Sequence, residues 1–335
     1  MKRRYSLCLL SAIVLGAASL LGAGEAQAQA AKKTTLLMNY VLYGRHAPYY
    51  VALDKGYFKA AGFDVEIQPS SGSGFVITAV DQNRAEYGMA EAATLVQNIA
   101  KGVKTKAFMA FLESTPNGLA SLKPYTDLKS VLDSKVAAAA ADSARAVLPI
   151  VVQLNGLDPA KIQWQTAANT AYISLLMGGQ IDSFSASIDA DIPPLAKILT
   201  PQGKQPYFAS FAQWGYDGLG FLLVAHSDRI AQKPDEVKAF AAAVAKGVAD
   251  ALAKPEDAAK IMVKYNPTLD VETVLQQWQY TVKAIETPYT KQHGYGVVTG
   301  DRVARTIELT RKAFKFEGEV KPEQVFAQGF VPGAK

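Results

Sequence analysis

Three histidines, one cysteine and a scatter of hydroxyls and carboxylates are what this 335-residue chain offers for chemistry. His46, His226 and His293 have no partner at metal-ligand spacing. No Walker-type phosphate loop and no dinucleotide fingerprint follows a strand, and Gly72-Ser73-Gly74 reads only as a glycine-rich turn. Ser143, in Ala141-Asp142-Ser143-Ala144-Arg145, lacks the flanking glycines of a nucleophile elbow. Cys8 lies near the amino terminus, so the chain beyond it has no disulfide, thiolate metal site or cysteine nucleophile. Non-covalent binding is expected, with no metal and no cofactor.

The groups suited to binding gather where strands hand over to helices. The stretch Asn39 to Ile67 holds Tyr40, Tyr43, Arg45, His46, Tyr49 and Tyr50 at such a handover, and ligands of open α/β sheets bind at the carboxyl ends of strands. Tyr40 and Tyr43 could stack on a flat ligand. His46 could hydrogen-bond to it or pack at the helix start. The loop Ser70 to Gly74 adds Ser71 and Ser73, and Glu91 stands beside a helix start as ligand contact or dipole partner. Further along, Asp142 or Ser143 can cap a helix whose free backbone donors and positive end suit a polar ligand group. Arg145 could reach a carboxylate or carbonyl from there, or be solvated. Ser187, Asp189 and Asp191 follow a strand end and would accept from amino or amide groups, or form a solvated acidic rim. Trp214 and Tyr216 are placed to close over a cleft.

These positions require an alternation of strands and helices. Strands are expected at Thr34–Met38, Asp64–Gln68, Tyr87–Ala90 and Lys104–Leu112. Helices between them begin with Pro48 as a first helical residue and Gly56 as a stop. The implied sheet is mostly parallel. Glu113 to Pro124, with Pro116, Gly118 and Pro124, breaks the pattern and reads as a crossover. A second unit follows, with strands at Val136–Ala140, Ile162–Gln165 and Ile181–Ser185 and helices at Ser143–Asn155 and Ala171–Gly178. After Pro193-Pro194 and Pro201, Gly220 to Ala225 returns to the first sheet. Val237, Phe240, Ala241, Val244, Val248, Ala251 and Leu252 then keep helical spacing, as do Val271, Val274, Leu275, Trp278, Val282 and Ile285, which read as plain core. The expected organisation is two α/β lobes joined by two hinge crossovers, with a C-terminal helical region: 31–120 and 216–335 in lobe 1, and 121–215 in lobe 2. A cleft between lobes that close by hinging suits solute capture.

Residues 1–30 read as a secretory signal peptide: Lys2-Arg3-Arg4, an apolar stretch from Leu7 to Leu21, and a small-x-small site at Ala26-Gln27-Ala28 or Ala28-Gln29-Ala30. Cleavage removes three cations and Glu25, taking the formal charge from +5 to +3. So mild a charge gives no case for nucleic acid. No later apolar run approaches membrane-spanning length, and a soluble monomer is expected.

HAPYYVALDKGYFKAAGFDVEI, from His46 to Ile67, resembles the opening motif of the NMT1/THI5-like substrate-binding proteins of ABC transporters. The resemblance extends to Asp142-Ser143-Ala144-Arg145, Asn155-Gly156-Leu157-Asp158-Pro159, Gly178-Gly179-Gln180-Ile181-Asp182 and Gly220 through Ala225. It implies the type II periplasmic binding fold, a periplasmic location, and delivery of a small solute to an ABC transporter permease. Members that resemble the thiamine-precursor binders stack a pyrimidine on aromatic residues, and Tyr40 stands where Trp is often found. The cysteine-rich motif of the yeast pyrimidine-precursor enzymes is absent, which argues against that synthase activity. The expected ligand is a flat, polar heteroaromatic such as a hydroxymethylpyrimidine. The alternative within the class is a small anion, an alkanesulfonate or aromatic carboxylate, held by Ser143 and Arg145. An enzyme of thiamine-precursor metabolism, or a receptor domain feeding a sensor, is the alternative from other classes.

Overall fold

The structure, a computed structural model, describes residues 31–332. The expected signal peptide and Cys8 lie outside the described residues. Ten strands are formed: β1 (Lys32–Leu37), β2 (Phe63–Gln68), β3 (Tyr87–Glu91), β4 (Thr105–Ala110), β5 (Asn117–Ser121), β6 (Lys135–Ala137), β7 (Gln163–Gln165), β8 (Ser183–Ser187), β9 (Tyr207–Ser210) and β10 (Phe221–His226). They make two five-stranded sheets, ordered β2-β1-β3-β10-β4 and β7-β6-β8-β5-β9.

In the first sheet β1 runs parallel to β2 and β3. Four of its five strands run the same way, as expected of a mostly parallel sheet; the exception is β10, which pairs antiparallel with both β3 and β4. β10 enters from the other sheet rather than from a preceding helix on its own, so it inserts in the reverse direction. All six of its residues are buried, as befits a strand covered on both faces. The second sheet is mixed in the same way: β6 is parallel to β7 and β8, whereas β5 is antiparallel to β8 and β9.

Two elements lie where the sequence suggested irregular chain. β5 occupies the middle of the supposed crossover, because Pro116 and Pro124 bound the strand without entering it. Gly118 permits its pairing: a Cβ there would overlap the Ala209 carbonyl of β9. The second is a helix, Ile192–Leu199, which carries Pro193 and Pro194 in its first turn, where a missing N–H costs no hydrogen bond.

Helices cover both faces of the first sheet. Pro234–Ala253 buries Val237, Phe240, Ala241, Val244 and Val248, and Phe240 stacks on Tyr87 with ring centroids 3.8 Å apart. Truncating such a ring to Ala costs about 3–5 kcal/mol. The helix Val271–Ile285 buries Trp278 completely, and its indole N–H donates to the Ala251 carbonyl at 2.9 Å. Val271 departs from the expected stripe; at the first helical position it is 37% exposed.

The fold brings four strand ends together. Beyond β1 come Asn39 to His46, beyond β2 Gly72, beyond β6 Asp142 and Ser143, and beyond β8 Asp189 to Asp191. The two sheets meet there at backbone distance: the Gly74 N–H donates to the Ala141 carbonyl at 3.1 Å. Gly72 makes that approach possible. Its φ is +147°, and a Cβ would run into Ala141.

Candidate functional site

Between these strand ends lies a cavity of at most about 360 Å³. Its first-sheet side is made by Asn39, Tyr40, Tyr43, Arg45, Gly72 and Phe221. Its second-sheet side includes Asn117, Asp142, Ser143, Ser185, Ser187 and Asp191.

The turn after β1 supplies the aromatic wall. Tyr40 and Tyr43 meet edge to face, centroids 6.2 Å apart and planes at 87°. The Tyr40 hydroxyl donates to Asp191 Oδ1 at 3.3 Å, across to the other sheet. Burial holds both phenols well above their usual range, so both stay neutral donors.

Arg45 is fully buried in the same turn. Its Nε donates to Asp189 Oδ2 at 2.8 Å and its Nη2 to Asp189 Oδ1 and Ser187 Oγ, each at 2.6 Å. The guanidinium lies over Phe221, 4.4 Å from the ring centroid. Burial works against its charge, but Asp189 more than restores it. Its Nη1 has no protein partner.

Helix Val271–Ile285 stitches this pair in place. Thr281 donates to Asp189 Oδ2 at 2.7 Å. One turn earlier, Gln277 accepts from the Gly44 N–H and donates to the Ala190 carbonyl, both at 2.9 Å. These two polar residues, four apart, share one face of the helix and hold a first-sheet turn to a second-sheet turn.

Two carboxylates line the second-sheet side. Asp142 accepts from the Ala144 N–H, Ser185 and Tyr172 at 2.8–2.9 Å. Burial nonetheless pushes it above the usual carboxylate range. Asp191 accepts from the Ser187 N–H at 2.7 Å, and burial raises it to about 7. Between them Ser143 accepts from Asn117 Nδ2 at 3.3 Å, and across the cavity Asn39 Oδ1 has no partner.

Of the residues singled out in the sequence as ligand contacts, Tyr40, Tyr43, Ser143, Ser187 and Asp191 line the cavity. Asp189 does not; it is the counter-charge of Arg45. Arg145 is engaged elsewhere, donating to the Ala138 carbonyl and Thr166 at 2.8 Å and lying over Trp164. It fastens the loop after β6. His46 is buried and packs on Tyr43, centroids 4.5 Å apart; burial and then Arg45 keep it neutral. Ser71 is exposed, and Ser73 accepts from the Glu91 N–H at 3.0 Å, tying β3 to the glycine loop. Glu91 caps the helix Ala92–Ile99 through Thr94 and is raised to about 8 by burial. Tyr216 packs beside it, and Trp214 lies against the second-sheet core. These eight shape the surroundings of the cavity without lining it.

Arg45, Asn117 and Asp142 also line it, and the sequence reading had not ranked them as ligand contacts. Two acids in one strand-end loop and two polar positions inside an apolar helical stripe were the available signals. Among the described residues no cluster of His, Cys, Asp and Glu is arranged to hold a metal. No helix there is long and apolar enough to cross a membrane.

Comparisons with known proteins agree with this architecture. The riboflavin-binding protein RibY of Chloroflexus aurantiacus is 24% identical over 312 residues, covering 90% of this chain and 87% of its own. The solved periplasmic aliphatic sulphonate binding protein SsuA of Escherichia coli superposes with a TM-score of 0.64 at 12% identity, over 90% of this chain and 94% of its own. The periplasmic nitrate-binding protein NrtA of Synechocystis PCC 6803 gives 0.56 at 15% identity, over 90% and 92%. At such identities the structures establish the fold, that of the type II periplasmic binding proteins. The family model for NMT1/THI5-like proteins matches residues 44–258, from the turn that carries Arg45 to the C-terminal helices, and the chain belongs to that family.

Proposed function

We propose that this chain is an exported solute-binding protein of an ABC importer, which closes on a small, flat heteroaromatic molecule bearing N–H donors. Lobe 1, residues 31–120 and 216–335, offers Tyr40 and Tyr43 to the ring. Lobe 2, residues 121–215, offers acceptors to its edge. The observation that carries the reading is the pair Asp142 and Asp191 in a cavity whose one cation, Arg45, is already neutralised by Asp189. Asn39 Oδ1 is a further acceptor without a donor, and Arg45 Nη1 a donor without an acceptor. An aminopyrimidine-like edge, with amino group and ring nitrogen side by side, complements both. A relative named for binding riboflavin, itself a flat heteroaromatic, is consistent with this class.

The anionic alternative loses its support, because Arg145 stands outside the cavity and the lining carries carboxylates. Binding rather than catalysis is supported by the solved fold neighbours named for binding sulphonate and nitrate. The ligand favours the closed form through contacts with both lobes, and a monomer in the periplasm would then present it to the permease.

Thermal shift and calorimetry on the purified mature protein test this. Aminopyrimidines should stabilise it, by about 2.7 kcal/mol at a hundredfold excess over Kd, and be recovered chemically unchanged. Affinity should rise from pH 6 to pH 8 as Asp191 ionises. Stabilisation by alkanesulfonates with none from any heteroaromatic would sink the reading.

A further inference from the structure

The wall formed by Tyr40, Tyr43, Ala190 and Asp191 has two sides. The same four residues also line a second, larger compartment of at most about 870 Å³. Leu42, Ile173, Pro194, Leu269 and Val274 give it apolar surfaces. Most of its polar groups are committed: Gln277 to Gly44 and Ala190, and Asp270 to Lys197 and the cap at Thr273. One is not. The Nδ2 of Asn169 is buried against the compartment without an acceptor, a loss that a protein of this kind tolerates where something else supplies the oxygen. Tyr40 and Asp191 close the wall between the two compartments with a long 3.3 Å contact.

We infer that the ligand is bipartite: its ring occupies the inner cavity, and a flexible, uncharged chain carrying an oxygen acceptor runs between Tyr40 and Asp191 into the outer compartment, where Asn169 donates to that oxygen. This rests on the heteroaromatic reading above and adds a second half to it. The outer compartment has no free charge to receive a charged chain, since its one other acid, Asp270, is paired with Lys197. Its apolar walls reward methylene groups, and its buried unpaired donor, Asn169 Nδ2, fixes where the oxygen must fall.

The test compares a ring with and without such a chain: a bare aminopyrimidine against the same ring bearing a short hydroxyalkyl chain, and lumichrome against riboflavin. Calorimetry on the wild-type protein should give the chain-bearing member of at least one pair a roughly tenfold or greater advantage, as expected from a few buried methylenes. Thr170→Trp, at an exposed position on the compartment, should abolish that advantage while leaving the bare ring's affinity unchanged. Asn169→Leu should reduce it when the chain carries oxygen and not when it is purely alkyl. Equal affinity for the two members of both pairs, or an advantage that survives Thr170→Trp, overturns the inference. Failure of every ring to bind overturns the heteroaromatic reading as well, so the two are told apart by the bare-ring arm.

Discussion

Removing the Asp189 carboxylate would leave the Arg45 guanidinium buried without its counter-charge. Asp189→Ala should therefore cost about 3–5 kcal/mol of stability, read by urea unfolding, even though Asp189 does not line the cavity. Replacing both partners with apolar residues, Arg45→Met with Asp189→Leu, should recover most of that loss; a double variant as unstable as the single one would show that the pair acts through something other than charge. At this scale the sequence was legible where a side chain's type sufficed. Two tyrosines in one strand-end loop suggested stacking on a flat ligand, and their rings stand edge to face beside the cavity. Roles that depend on a distant partner were not legible. Asp189 and Asp191 are two residues apart, yet one neutralises Arg45 and the other faces the cavity. Arg145 looked like an anion ligand until the loop after β6 folded back under it.

At the level of the element, the start of the helix Ser73–Asp81 is pressed against Ala141 of the opposite sheet, and Gly72 leaves the room. Gly72→Ala should hold the two strand-end clusters apart. The expected outcome is a ligand affinity reduced tenfold or more, together with a stability loss of about 1–3 kcal/mol, because a side chain at φ +147° is strained even with the sheets apart. Small-angle scattering should show the variant remaining more extended than the wild type when ligand is added; wild-type affinity in the variant would mean the contact is incidental. The glycine-serine loop was visible in the sequence, but the surface it meets is 67 residues further on. Proline misled for a related reason. Pro193-Pro194 reads as a break, whereas two prolines in a first turn start a helix as readily as they end one.

For the whole molecule, burial of acids near the meeting of the sheets sets how stability depends on pH. Asp191 and Glu91 are raised to about 7 and about 8 by burial, against roughly 4 in an unfolded chain. Between those values the folded state holds protons that the unfolded state has lost, so stability falls as pH rises. The contribution is complete near pH 4 and gone above pH 8.5. Paired surface acids act in the other direction but lower down; Asp270, beside Lys197, is depressed to about 2. Melting temperatures should thus decline from pH 5 to pH 8.5, and Asp191→Asn should flatten the decline. A rise over that interval would contradict it. The two-sheet plan itself was readable from the alternation of strands and helices; the reversed insertion of β10 was not, because direction is decided by which sheet the chain has just left.

The ion pair of Arg45 and Asp189 links turns from different sheets where water does not reach. Neither member can be exchanged alone without stranding a bare charge. Over divergence the two positions should behave as one inherited character, lost together to an apolar pair or kept together, whatever solute the descendants come to carry.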